Sequence, residues 1–167
     1  CGAVQSGVNL GDLVLSVGAV REDGASRMYV TEGYPAVADP TLLSIATRAC
    51  ADRDYSFYTG ITRSHDSFYI DDEADRMSFW GTRNVIASDM ETAALYVVAA
   101  LRGVRALSIL NNVVLVGDDV AEGIGEYVSM ESKTAEGERR EIEIALETIV
   151  AARSTSPRVQ FCQPSAR

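Results

Sequence analysis

The stretch Ser88-Asp89-Met90-Glu91-Thr92-Ala93-Ala94-Leu95-Tyr96 places an acidic side chain at the start of a strongly apolar segment. Residues 84–87 have the composition of a short strand or its end, and residues 93–101 are nearly all apolar, mostly alanine and valine. Small side chains allow a helix to lie close to a sheet, so this stretch predicts a strand followed by a buried helix. Ligands of α/β folds bind at the ends of strands, and this junction is therefore a candidate ligand site.

Glu91 has two interpretations at this junction. Ser88 and Glu91 have the spacing of a capping box, in which the serine oxygen accepts from a first-turn N–H and the glutamate bonds back to the serine N–H. An acid in the first turn also suits the helix dipole. The alternative is that the carboxylate binds a ligand. The pattern by itself favours capping, because such boxes are common in ordinary helices.

The composition indicates one globular domain and excludes some classes of partner. The chain has 167 residues, of which 47% are hydrophobic and 23% charged, and this is ordinary for a globular protein. Its net charge of −9 argues against a nucleic-acid or anionic-membrane partner, because a phosphate surface would repel it. The sequence shows no apolar run as long as a membrane span and no signal peptide.

The cysteines and the histidine do not form a metal-binding pattern. Cys1, Cys50 and Cys162 are odd in number and widely spaced, which fits neither a disulfide framework nor a metal site and is typical of a reducing cytoplasm. A metalloenzyme is not expected, since His65 is the sole histidine. We expect His65 to lie in a polar surface loop.

Strand and helix patterns alternate along the chain. Predicted strands cover residues 13–20, 55–62 and 104–110, and predicted helices cover residues 41–53, 71–80, 93–101 and 135–152. This alternation predicts an α/β fold with a mixed central sheet flanked by helices. The last helix carries an apolar stripe that we expect to face the core, formed by Ile142, Leu146, Ile149 and Val150.

The two ends of the chain differ from its middle. Residues 154–167 contain Pro157 and Pro164 and have little periodicity, so we expect a disordered tail after a domain of residues 1–153. The first residues have no initiator methionine and resemble a turn that follows a strand. We therefore expect the chain to begin inside a larger domain that is truncated at its N-terminus.

Four blocks of sequence, in order, resemble the nucleoside phosphorylases of the purine and uridine phosphorylase type. They are residues 2–12, residues 18–39 with Gly-Ala-Val-Arg-Glu-Asp-Gly-Ala-Ser and Tyr-Pro-Ala-Val-Ala-Asp, Asp66-Ser67-Phe68-Tyr69, and Asp89-Met90-Glu91-Thr92-Ala93-Ala94-Leu95. The second block is most similar to uridine phosphorylases, and the resemblance covers about residues 1–152. Four ordered blocks are more specific than any single short motif.

The resemblance implies roles for several side chains. Phosphorolysis attacks the anomeric carbon of a nucleoside with phosphate, through a sugar that carries positive charge. The resemblance assigns Glu91 to the 2′- and 3′-hydroxyls of ribose, where a carboxylate also stabilises that charge. Met90 would pack under the sugar and Asp89 would join the ribose site. Phe68 would lie against the base, although plain core packing is the alternative for this ring.

The choice of base depends on residues after the predicted strand 104–110. Purine-cleaving relatives carry a proton-donating aspartate there, where this chain has Val113 and Val114. A valine cannot donate a hydrogen bond, which favours a pyrimidine nucleoside, uridine in particular. We place Val114, Asn111 and Asn112 at the base; for the asparagines the alternative is a role as turn residues at a strand end.

The uracil-binding Gln-x-Arg pair of familiar uridine phosphorylases has no counterpart in this chain. The spacing from the aromatic loop leads instead to Asp72-Glu73-Ala74, which offers neither an amide nor a positive charge. The Asn111 and Asn112 amides are the donors and acceptors that we predict in its place.

The resemblance places the phosphate-binding residues upstream of Cys1. In the family these are a glycine-and-arginine loop, a further arginine and a threonine, so no phosphate ligand is expected within this chain. Inorganic phosphate would be the co-substrate, with no organic cofactor and no metal. The whole protein would be a homo-oligomer, a dimer or a hexamer, and the present chain alone would hold half an active site with little or no activity.

Three other interpretations remain open from the sequence. The first is a purine nucleoside phosphorylase or a nucleosidase that uses water instead of phosphate. The second is a non-catalytic fragment that retains a nucleoside pocket. The third is an α/β domain in which Glu91 only caps its helix.

Overall fold

The computed structural model describes residues 1–67, 69–118 and 133–154. Within these residues a six-stranded mixed sheet is flanked by helices, which confirms the predicted fold class. The strands are β1 (Gly2–Ala3), β2 (Leu13–Glu22), β3 (Ala36–Val37), β4 (Phe57–His65), β5 (Val85–Asp89) and β6 (Ile109–Asn111). The helices are α1 (Gly24–Tyr29), α2 (Pro40–Asp52), α3 (Glu73–Gly81), α4 (Thr92–Leu101) and α5 (Lys133–Ser154).

The three longest strands bring their last residues to one edge of the sheet. The strand order is β1-β5-β4-β2-β3, with β6 also paired to β2. Strands β2, β4 and β5 are mutually parallel where they pair, and the other pairs are antiparallel. Glu22 is in register with His65, and Ser64 with Asp89. Polar residues that are distant in the sequence therefore meet at the carboxyl ends of these strands.

The start of β2 is covered on both faces, as its unbroken apolar run predicts. Leu13, Val14 and Leu15 are all buried. One face packs against α2 and α5 in a cluster that contains Leu13, Leu15, Ala46, Ala49, Cys50 and Ile144. The other face packs in a cluster that contains Ala3, Val8, Val14 and Ala87.

Helix α4 is buried against the sheet because its side chains are small. Ala93, Tyr96 and Val97 are buried, as the sequence predicts for this segment. The Tyr96 hydroxyl donates to the Ser16 carbonyl at 2.6 Å and accepts from the Ser108 N–H at 2.9 Å. These two bonds join the middle of α4 to β2 and to the segment before β6, and so hold the helix against the sheet.

The face of α5 that packs on the domain differs from the predicted one. Ile142, Leu146, Ile149 and Val150 are exposed. The buried residues are instead Thr134, Gly137, Ile144, Thr148 and Ala152. Small side chains let the helix approach β6 closely, and this close approach decides which face is buried. The helix was predicted correctly and its orientation was wrong.

Gly137 marks the closest approach of α5, and we expect Gly137→Ala to lower the free energy of unfolding by about 2 kcal/mol. A Cβ atom at this position would overlap Asn111 Oδ1 and lie 2.7 Å from Gly11 Cα. In an uncrowded helix the same change stabilises by about 1 kcal/mol. Urea unfolding measures the effect, with Gly33→Ala as the control, since no atom lies within 4 Å of a Cβ there. A stabilised Gly137→Ala variant would contradict this packing.

Two other segments differ from the sequence predictions. The predicted strand 104–110 forms β structure only at Ile109–Asn111, and Val104 is exposed. Helix α1 was not predicted; Asp23 caps it by accepting from the Ser26 N–H. The predicted tail lies outside the described residues from residue 155 onward, and α5 continues through residue 154.

Candidate active-site cleft

A cleft of about 680 Å³ opens at the carboxyl ends of β4 and β5. It is bounded by β1, by α3 and by residues 113–118, which follow β6, and we call it the β1–α3 cleft. Most of its lining is apolar and includes Ala3, Val4, Met77, Val113 and Val114. An apolar cavity with a few polar groups at strand ends is the usual form of a small-molecule site. The structure thus places Val114, a predicted base-binding residue, in a cleft of suitable size.

Asp89 connects β5, β4 and the first turn of α4. Its Oδ1 accepts from the Ser64 hydroxyl at 2.6 Å, and its Oδ2 accepts from the Thr92 N–H at 2.8 Å and from the Glu91 N–H at 3.3 Å. The Ser64 oxygen in turn accepts from the Ala93 N–H at 2.9 Å. Asp89 therefore caps α4, and its predicted contact with ribose stays a prediction.

The capping box that Ser88 and Glu91 could form is absent from this junction. The Ser88 hydroxyl donates to the Arg63 carbonyl at 3.4 Å, and Ser88 lines the cleft. The exposed Glu91 carboxylate accepts from the Met90 N–H at 3.2 Å. Since Asp89 supplies the cap, Glu91 is not needed for that task.

The β5–α4 junction reaches the cleft through Ser88, whereas Asp89, Met90 and Glu91 are not among the residues that line it. The predicted contacts of these three residues with ribose stay predictions. A carboxylate near an apolar cleft and not used for capping can accept hydrogen bonds from hydroxyl groups of a ligand.

The predicted base-binding residues are not all brought together. Val114 lines the cleft, and Phe68 lies outside the described residues. Asn111 and Asn112 are buried away from the cleft lining, where their amides donate to the Thr134 carbonyl at 2.8 Å and to the Asn9 carbonyl at 3.1 Å. These bonds favour the alternative role as strand-end residues, and base binding by either asparagine stays a prediction.

His65 lies in a different environment from the one its sequence predicts. It is the last residue of β4, it is buried, and it lines the cleft. Its Nδ1 is 2.7 Å from the Ser67 carbonyl oxygen. The surface-loop prediction was wrong because β4 continues three residues beyond the apolar segment that ends at Thr62. The parallel register of β2 with β4 carries the strand this far.

A buried arginine that was not predicted from the sequence, Arg63, lies beside the cleft. The Arg63 side chain is 1% exposed and lies between two carboxylates. Its Nε donates to Glu22 at 2.5 Å, and its two terminal nitrogens donate to Glu73 at 2.6 and 3.2 Å. Burial would lower the pKa of Arg63, but the hydrogen bonds and charges of Glu73 and Glu22 raise it overall. The position of Arg63 directly after the predicted strand of residues 55–62 was the sequence feature that could have revealed this buried charged group.

Helix α3 is attached to the sheet mainly through this charged group. None of its residues is buried. Glu73 binds Arg63, the Trp80 Nε1 donates to Glu22 Oε1 at 3.2 Å, and an Arg76 nitrogen lies 3.8 Å from the same oxygen. Because α3 forms one wall of the cleft, this charged group connects that wall to the strands β2 and β4.

Cys50 is a buried thiol that resists ionisation. Burial, helped by the charge of Glu147, raises its pKa to about 11 against the attraction of Arg53. The unfolded thiol ionises near its ordinary value of 9, so the folded state loses stability as the pH rises above 9. We expect the unfolding free energy to fall by about 2 kcal/mol more between pH 9 and 11 than in Cys50→Ala. Identical alkaline profiles in urea unfolding would contradict this.

The described residues contain neither a metal-binding group nor a membrane-spanning helix. Residues 1–67, 69–118 and 133–154 contain no group of three side chains arranged to hold a metal ion. No helix in the same part of the chain has the length and hydrophobicity that a bilayer span requires.

Comparison with known proteins identifies the family. The family model described as the phosphorylase superfamily matches residues 1–150. The chain is 31% identical over 154 residues to a guanosine phosphorylase of Halorubrum lacusprofundi, covering 90% of this chain and 62% of that protein. It is 34% identical over 117 residues to a uridine phosphorylase of Thermococcus kodakarensis, covering 63% of this chain and 42% of that protein.

A solved structure supports the same assignment. The crystal structure of uridine phosphorylase from Vibrio fischeri matches with a TM-score of 0.80 at 39% identity, over 90% of this chain and 60% of that one. This match and the one to the guanosine phosphorylase both cover 90% of the present chain. The chain thus spans about three fifths of the length of these two relatives. The family match, the shared fold and the ordered motifs together show that the chain belongs to the phosphorylase superfamily, among its nucleoside phosphorylases.

Proposed function

We propose that the whole protein cleaves uridine with inorganic phosphate to give uracil and ribose 1-phosphate. The observation that carries the proposal is the position of Val114 in the β1–α3 cleft. The resemblance places a proton-donating aspartate of purine-cleaving relatives at this position, and a valine cannot donate to a purine nitrogen. The cleft therefore suits a base whose negative charge after cleavage is carried by its own carbonyl groups.

Glu91 would hold the sugar in this reaction. Its carboxylate accepts hydrogen bonds from the 2′- and 3′-hydroxyls, which are the only donors that the sugar offers on that side. As the bond between sugar and base breaks, positive charge develops on the ribose ring, and a nearby carboxylate stabilises it. Met90 would pack against the sugar, while Asp89 holds the start of α4 and thereby the position of Glu91.

Phosphate and the subunit arrangement belong to the whole protein. Phosphate would enter as a co-substrate and not as a bound cofactor, held by residues from the part of the relatives' length that this chain does not match. A homo-oligomer and a cytoplasmic location complete the proposal; the widely spaced cysteines support the location.

A turnover assay with and without phosphate tests the proposal. We expect this chain to bind uridine in a calorimetric titration but to release little or no uracil. Release of uracil that requires phosphate would contradict the expected inactivity of the chain and would support the reaction. Release without phosphate would favour a nucleosidase, and binding of adenosine in preference to uridine would contradict the pyrimidine assignment.

A further inference from the structure

Glu73 is the shielded acid of the β1–α3 cleft. It is the first residue of α3, it lines the cleft, and its side chain is 21% exposed. Asp118, the other acidic residue in the described lining, is exposed. In a mostly apolar cleft, a half-buried carboxylate binds a donor on a ligand more strongly than an exposed one does.

Arg63 fixes the Glu73 carboxylate without using all of its acceptor positions. One guanidinium nitrogen bonds to each carboxylate oxygen, at 2.6 and 3.2 Å. A carboxylate accepts about four hydrogen bonds in total, so each oxygen keeps an acceptor position. The third donor group of Arg63 binds Glu22, which prevents the guanidinium from turning away. Glu73 is therefore a preorganised acceptor with no hydrogen to donate.

We propose that Glu73 selects the base, by accepting a hydrogen bond from a ring N–H that lies next to a carbonyl group. The inference rests on the proposed function, because it assumes that the cleft holds a nucleoside. Uracil presents such an N–H at N3, and guanine presents one at N1. Cytosine and adenine present a bare nitrogen lone pair at the corresponding positions, and a carboxylate repels it. The site then favours uridine over cytidine, because in the cytidine complex a Glu73 oxygen and the bare ring nitrogen are two acceptors that face each other with no hydrogen between them.

Titration calorimetry with uridine and cytidine tests the proposal on this chain. We expect uridine to bind at least about tenfold more tightly than cytidine. Glu73→Gln keeps the shape of the side chain but adds an N–H donor, so its amide can pair with either base. The ratio of the two dissociation constants should therefore fall toward one in the variant, through weaker uridine and stronger cytidine binding.

Asp75→Asn is the matched control, because it removes the same charge from an exposed residue of α3 that does not line the cleft. It should keep the ratio of the unchanged protein. Trp80, the sole tryptophan, reports by its fluorescence whether α3 stays docked in Glu73→Gln, where the Glu22–Arg63 pair is intact.

Each outcome of these titrations bears on one of the two proposals. Binding of both nucleosides with an unchanged ratio in docked Glu73→Gln would overturn the role of Glu73 and leave the proposed function standing. A preference of the unchanged protein for cytidine would also overturn it. Failure of every nucleoside to bind would overturn the proposed function, and the role of Glu73 with it.

Discussion

Replacing Arg63 with methionine should lower the free energy of unfolding by about 3–5 kcal/mol, the usual cost of removing one partner from a buried ion pair. The substitution leaves Glu22 and Glu73 facing each other without the cation that both of them bind. Methionine is flexible enough to fill most of the space, so the loss measures the uncompensated carboxylates and not a cavity. Urea unfolding followed by Trp80 fluorescence gives both the stability and the docking of α3.

An exposed arginine provides the control for this prediction. Arg139 also binds two glutamates, Glu136 and Glu143, but its side chain is 57% exposed. Arg139→Met should therefore cost less than about 1 kcal/mol. Adding Glu22→Gln and Glu73→Gln to Arg63→Met should recover part of the lost stability, because the two charges are then gone. Equal losses of unfolding free energy in Arg63→Met and Arg139→Met would contradict the prediction, because burial would then add nothing to the contribution of the Arg63 ion pairs to stability.

Glu91→Gln should weaken the binding of uridine by about tenfold to a hundredfold. Glutamine keeps one acceptor oxygen but loses the charge, and hydrogen bonds from hydroxyls to a carboxylate are the stronger kind. The fold should be unaffected, since Asp89 caps α4 and the Glu91 side chain is exposed. Calorimetry measures the affinity, and the unfolding midpoint confirms that stability is unchanged.

Glu32→Gln is the control for the Glu91 prediction. Glu32 is an exposed glutamate outside the β1–α3 cleft, in a surface ion pair with Arg27. Its removal changes the net charge by the same amount and should leave the affinity for uridine within about twofold, because exposed charges are screened by salt. Equal weakening in the two variants would indicate a general charge effect and would remove the specific role of Glu91.

The sequence was sufficient to predict an element and its packing where local composition determines both. The small apolar side chains after Glu91 predict a helix that packs closely on a sheet, and α4 does so through Ala93, Tyr96 and Val97. The same argument fails for α5. Its apolar periodicity correctly predicted a helix, but the predicted buried face was wrong. Which face of a helix is buried depends on how closely another element approaches, and Gly137 beside Asn111 decides this for α5.

The polar groups at the strand ends depend on the pairing of strands that are far apart in the sequence. Glu22, Arg63 and Glu73 form one charged group because β2 and β4 are parallel and in register, with α3 following β4. The register of β2 against β4 cannot be deduced from a local pattern in a single sequence. The motif around Glu91 was recognisable, in contrast, because its residues are adjacent in the chain.

Methyl NMR during a uridine titration tests most directly whether the β1–α3 cleft is the nucleoside site. We predict that the methyl resonances of Met77, Val113 and Val114, which line the cleft, shift together and saturate at one dissociation constant. Those of Ile142 and Leu146, on the exposed face of α5, should stay unchanged. Saturable shifts confined to residues outside the cleft, with Met77, Val113 and Val114 unmoved, would contradict the account.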